Sequence, residues 1–162
     1  MGNTYINRRS HDGDLSALAN LLMIEDVAVG YFGSRKPAAE IAEALHLNLE
    51  LSKNGRGTVW VTLKSAADPN IIAYAAVCSG YVTYCVAPRH RRRGVATRLL
   101  RAVSADAFAM WPDGALSATV SRENVASARL LEKLGFRFVG LEGSRTSTVM
   151  MSYELRSMPM PD

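Results

Sequence analysis

Stretches in which apolar side chains recur every third or fourth position alternate along this chain with short β-branched runs bounded by glycine, proline and asparagine. The first spacing belongs to helices with one buried face, the second to strands. "TYINRRS" (4–10) reads as a strand, and Asp12 or Asp14 then offers an N-cap for a helix reaching about Val27, with Leu15, Leu18, Leu22 and Val29 on one face. Gly30, Gly33 and Pro37 in "VGYFGSRKP" predict a loop, after which Ile41, Leu45 and Leu49 in "AAEIAEALHLNLEL" return to helical spacing. "TVWVTLK" follows the "NGRG" turn as a strand, and "IIAYAAVC" and "YVTYCVA" flank "SG" as a hairpin.

Farther on, Val95, Leu99, Val103 and Ala107 share one face of a helix over 95–110, which "WPDG" ends. "ALSATV" is a strand, and "SRENVASARLLEKLG" is a helix with Ser121 or Asn124 near its cap and Gly135 just past its end. "FRFVGLE" and "STVMMSYEL" make a closing pair of strands. The order β-α-α-β-β-β-α-β-α-β-β predicts an α/β fold with helices on both faces of one mixed sheet.

With 48% hydrophobic and 21% charged residues the chain has material for one core, so 1–156 is expected to form a single domain and 157–162 a frayed tail. No apolar run reaches the roughly eighteen residues of a membrane span, and "MGNTYINRRSHDGD" has no apolar signal core. The expectation is a soluble, cytoplasmic protein without membrane contact. Cys78 and Cys85 are too few for a disulfide framework, and without a Cys/His cluster no metal is expected; both read as small core thiols.

Charge changes the picture more than composition does. The net +4 is unevenly spread: no acidic residue lies between Pro69 and Ala105, where Arg89, Arg91, Arg92, Arg93, Arg98 and Arg101 fall. Conversely, 11–50 carries Asp12, Asp14, Glu25, Asp26, Glu40, Glu43 and Glu50 against only Arg35 and Lys36. One segment suits anions and the other cations. In "VAPRHRRRGVATRLL" (86–100) a strand gives way to arginines, a glycine and a helix. A helix starting there offers unpaired N–H groups and its positive dipole end to an anion such as a pyrophosphate. The segment lacks GK[ST] and is not GxGxxG, which disfavours nucleoside triphosphate and dinucleotide sites. Aromatic residues are not interleaved with the arginines, so nucleic acid is a disfavoured partner.

Arg91-x-x-Gly94-x-Ala96, between "VAP" and "TRLL", resembles the acyl-CoA signature of the GNAT N-acetyltransferase superfamily, and "ENVASARLLEKLGF" (123–136) resembles that family's N-x-x-[AS]…EKLGF helix. The variant with Ser127 and Leu131, together with "IEDVAVGYFG", is similar to the ribosomal-protein N-terminal acetyltransferase (RimJ/RimL-like) branch. Val139 departs from that branch, standing where it keeps an acid, and the last hairpin is shorter. The resemblance implies a mostly antiparallel sheet of about seven strands, two of them splayed to admit acetyl-CoA as the acyl donor. It implies a pyrophosphate on the backbone of Arg91, Arg92, Arg93, Gly94, Val95 and Ala96 with Thr97 nearby, and a pantetheine arm along main-chain groups of Cys85 and Val86. It also puts Asn124 near the cofactor. The acceptor is an amine: a protein or peptide N-terminus, with a polyamine, amino acid or antibiotic as the alternative. Many relatives dimerise, so a homodimer is one implied assembly.

Acyl transfer to an amine needs a neutral nitrogen, a donor for the developing oxyanion and a proton for the leaving thiolate. The resemblance assigns the oxyanion to the Val86 N–H. Leu131 stands where most members keep a tyrosine acid, and Ser127 is the branch's alternative, against the plainer reading of a helix-surface hydroxyl. Tyr81 occupies the position of the usual strand carboxylate; Glu142, Glu25, Asp26 or a water chain are the other candidate bases. An α-amine with a pKa near 8 has an appreciable neutral fraction without a strong base. His90 reads as a phosphate contact or exposed residue, and Tyr31 and Phe32 as loop residues that line the acceptor pocket or pack as a lid. Leu131 and the missing strand carboxylate also motivate a contrary reading, a non-catalytic CoA-binding regulator.

Overall fold

In the computed structural model, which describes residues 5–143 and 148–158, seven strands form one sheet in the order β1-β2-β3-β4-β5-β7-β6. The strands are β1 (Ile6–Arg9), β2 (Gly57–Leu63), β3 (Ile71–Cys78), β4 (Tyr81–Val86), β5 (Leu116–Ser121), β6 (Arg137–Gly143) and β7 (Val149–Leu155). Every pairing is antiparallel except β4 with β5. The helices are α1 (Leu15–Met23), α2 (Glu25–Phe32), α3 (Ala38–Lys53), α4 (Val95–Met110) and α5 (Val125–Lys133). Strand alternation separates two cores. Val59, Val61, Tyr74 and Ala76 turn to α1–α3, where Leu18, Leu22, Ile41 and Leu45 are buried. Ala73, Ala75 and Val77 turn to α4 and α5, against Leu99, Val103 and Leu131.

The predicted mixed α/β sheet with helices on both faces is therefore what the chain forms. One helix differs from expectation. The helix expected to reach Val27 bends by 93° at Ile24, whose backbone is extended (φ −61°, ψ 124°). The stripe Leu15, Leu18, Leu22 would continue at 25 and 26, which are Glu25 and Asp26; carboxylates cannot enter the core, and both suit the first turn of a new helix instead. That new helix, α2, buries Val27 and Ala28, leaves Val29 exposed, and runs through Tyr31 and Phe32 to Gly33, which is left-handed at φ 77°. Tyr31 and Phe32 are thus helical, not loop residues. At α5 the open choice of cap resolves to Asn124, whose Oδ1 accepts from the Ser127 N–H at 3.1 Å. Thr4, the start of the last strand at 147 and residues 159–162 of the tail lie outside the described residues.

Two carboxylates fasten the layers. Asp106 of α4 accepts from Trp60 Nε1 at 2.9 Å, from Thr58 and from Arg9, joining α4 to β1 and β2. Asp14, just before α1, takes both Arg8 nitrogens at 2.7 Å as well as Ser10 and the His11 N–H. Burial pushes each carboxyl up, but the bonds they accept outweigh it and hold both below the ordinary range. Cys78 and Cys85 are free thiols, pushed up by burial to about 11 and about 12 respectively. Among the described residues no single helix is long and apolar enough to cross a membrane.

Candidate active site

The site begins where β4 and β5 part. They share a single bridge, Tyr81 opposite Ser117, reinforced by the Ser117 N–H donating to the Gly80 carbonyl at 2.8 Å. Beyond it the two parallel strands diverge, which is the splay the family resemblance implies. Ladder parity decides which backbone groups face the gap. The two-residue turn Ser79-Gly80, with φ of 50° and 82°, closes the β3–β4 hairpin, and the Ala87 N–H donates to Ile72 O at 2.8 Å at its far end. Hydrogen-bonded pairs alternate with non-bonded ones along an antiparallel ladder. Tyr81, Thr83, Cys85 and Ala87 therefore spend their main-chain groups on β3, whereas Tyr84 and Val86 turn theirs toward the splayed side. Cys85 lines the cleft, yet its main-chain groups are spent on Tyr74; of the expected pair Cys85 and Val86, only Val86 turns main chain to the gap, as does Tyr84 two residues before it.

A cleft of about 510 Å³ opens from this gap to the start of α4. Of the residues expected to hold the cofactor, Cys85, Val86, Arg91, Arg92, Gly94, Val95, Ala96, Thr97 and Asn124 line it; Arg93 does not. Gly94 caps α4 in the left-handed region at φ 72°, where only glycine is unstrained, and Arg92 is also left-handed at φ 58°. An added Cβ at Gly94 would meet only Arg98 at an ordinary 3.5 Å, so backbone angle, not crowding, sets the requirement. The first-turn N–H groups of Val95, Ala96 and Thr97 have no carbonyl partner within the helix, and the alternating turn ahead of them forms a concave anion cradle. Arg91 is fixed by its Nε donating to the Val86 carbonyl at 3.0 Å. His90, also at the wall, is held below its ordinary pKa by burial and by the charges of Arg93, Lys64 and Arg89, and its Nδ1 lies 3.2 Å from the Tyr5 hydroxyl. These features fit a CoA pyrophosphate and an extended pantetheine.

A second cavity of about 820 Å³ lies on the other side of the gap, walled by Phe32, Tyr81, Thr83, Thr119, Glu123 and Met150 among others. Both cavities share Gly30, Tyr31, Tyr84, Asn124 and Ser127. Tyr31 is held there by donating to Thr83 Oγ1 at 2.9 Å. Ser127 thus sits where the two meet. Tyr81, 58% exposed, borders the second cavity only. Glu142 borders neither, and its carboxylate accepts from Ser152 within the β6–β7 pair. Of the other candidate bases, Glu25 pairs with Arg35 on the surface, while Asp26 lines the first cleft. Tyr84, absent from the expected site, borders both cavities; its two-residue offset from Val86 on one strand is the signal that places it there.

No curated protein sequence matches the chain. Its fold, however, is that of several solved acetyltransferases. A ribosomal-protein-S5-alanine acetyltransferase from Vibrio fischeri aligns over 96% of this chain and 94% of its own, with TM-score 0.80 and 16% identity. An acetyltransferase from Salmonella typhimurium that modifies the N-terminal serine of ribosomal protein L7/L12 aligns over 96% of both chains, with TM-score 0.76 and 12% identity. The spermidine N-acetyltransferase from Vibrio cholerae, in complex with CoA and spermine, aligns over 95% of this chain and 96% of its own, with TM-score 0.73 and 17% identity. Residues 6–137 match the sequence family described as acetyltransferase (GNAT) domain, so the splayed gap and its anion cradle belong to a member of the GNAT acetyltransferase family.

Proposed function

We propose that this protein is an acetyl-CoA-dependent N-acetyltransferase acting in the cytoplasm on a primary amine, with the α-amine of a protein or peptide as acceptor. The observation that carries the reading is the single β4–β5 bridge: it leaves the Val86 main chain facing an open gap that ends on the α4 cradle. The pyrophosphate rests on the first-turn N–H groups of α4, and the pantetheine adds to β4 as a short strand. Val86 N–H is then the donor for charge developing on the acetyl oxygen. The amine enters from the second cavity, where Glu123 is the only carboxylate among the described lining residues. That sparsely charged wall favours a peptide terminus over a polycation. A polyamine is the second reading, favoured by Asp26 in the first cleft and by the likeness to the spermidine enzyme. A homodimer, built with the exposed Phe138, Val139 and Leu141 of edge strand β6, belongs to the same proposal.

Calorimetry with acetyl-CoA at two salt concentrations, with desulfo-CoA and a short oligonucleotide as controls, tests the cofactor. Binding of both CoA forms with no oligonucleotide binding is expected. Oligonucleotide binding alone, weakening steeply with salt, would overturn the reading. Thiol release in the presence of a peptide N-terminal library and of spermine then chooses the acceptor. Tight acetyl-CoA binding with no turnover on any amine would instead support the non-catalytic regulator.

A further inference from the structure

Leu131 has no exposed surface and packs in the α4–α5 core, so the α5 position from which a tyrosine would reach the cofactor is a piece of hydrophobic filling. A sulfur leaving as thiolate still requires a proton. Across the gap from α5, β4 carries a phenol. Tyr84 Oη is buried and has no hydrogen-bond partner among the described residues. Buried polar atoms are otherwise nearly always satisfied, and one left open at a cavity wall is an atom waiting for a ligand group. Tyr84 shares the α5-facing side of β4 with Val86, the residue whose N–H faces the gap, and with Ser127 it borders both cavities. The charged side chains around those cavities are Asp26, Arg91, Arg92 and Glu123, with His90 at the edge.

Resting on the acetyltransferase reading, we propose that Tyr84 is the proton donor to the departing sulfur, doing from β4, beside Ser127, what Leu131 no longer does from α5. A phenol carries its proton at neutral pH, and burial raises the Tyr84 pKa further above its ordinary value. The step balances. The nitrogen–carbon bond forms, the carbon–sulfur bond breaks with its electron pair on sulfur, and sulfur takes the Tyr84 proton. The attacking nitrogen gives one proton to water, and water returns one to the phenolate.

The test compares the parent, Tyr84→Phe and Ser127→Ala. Acetyl-CoA affinity is measured by calorimetry, and thiol release is measured with the best amine from the peptide library and spermine. Tyr84→Phe should lower kcat by roughly a hundredfold. Its acetyl-CoA affinity and melting temperature should match the parent, since the lost oxygen has no partner to strand. With acetyl-seleno-CoA, whose selenolate leaves without needing a proton, the deficit should nearly vanish. An unchanged kcat, or an equal loss with both donors, would overturn the assignment while leaving the acetyltransferase reading intact. A donor-dependent loss confined to Ser127→Ala would give the role to the serine. A parent that releases no thiol with any amine would instead bring down the acetyltransferase reading, and the Tyr84 role with it.

Discussion

The two cavities that meet at Tyr84 and Ser127 are built in opposite ways. The first cleft is built mainly on one run, 84–97, which supplies the strand, the arginines, the left-handed Gly94 and the first turn of α4, with α2 and the start of α5 closing it. The second cavity has no such run and is assembled from α2, β4, β5, the start of α5 and β7. A contiguous main-chain site tolerates side-chain change but not a change of backbone angle. A site gathered from distant elements does the reverse, which suits one family serving different amines.

This contrast can be broken most forcefully from below. Asp106→Ala strands the Thr58, Trp60 and Arg9 donors and should cost about 3 kcal/mol of stability by urea unfolding, loosening α4 beneath the cradle. Gly94→Val forces a β-branched residue to φ 72° and should weaken acetyl-CoA binding at least about tenfold by calorimetry, leaving acceptor KM unchanged. If acceptor KM moves equally, the two sides are not separable. Both fastening carboxylates have folded pKa values held below the unfolded value of about 3.9, so their contribution is complete above that value and is lost as pH falls through the lower folded one. Asn at Asp14 or Asp106 should therefore flatten the acid-unfolding profile seen by circular dichroism. Asp26→Asn should raise KM for spermine a few-fold, roughly, and barely alter that for a neutral peptide terminus. Arg93→Ala should change acetyl-CoA affinity least, by less than about twofold, because Arg93 does not line the cleft.

The same contrast governs how much of the molecule is legible in its sequence. The sheet, the helices on its two faces and the cradle from Arg91 to Thr97 are local in sequence, so spacing and one glycine announce them. The bend at Ile24 was written in Glu25 and Asp26 breaking the leucine stripe, but hydrophobic periodicity alone ran through it. The resemblance puts the Arg93 backbone in the cradle; the residue, which follows left-handed Arg92, is not among those lining the cleft. Glu142 stands among the candidate bases in the sequence, and only the folded β6–β7 pair shows its carboxylate accepting from Ser152. Tyr84 required knowing both the strand's parity and which helix faces it.

The lone Tyr81–Ser117 bridge has a further consequence for cooperativity. With one rung between them, β1–β4 and β5–β7 are two ladders joined chiefly through α4 and α5, and their amides should exchange with deuterium as two separate units. A ligand that pairs with β4 fills the gap and fuses the units, adding about 2.7 kcal/mol at a free concentration of a hundred times its Kd. Amide exchange would then report, residue by residue, how much of the protein is loaded.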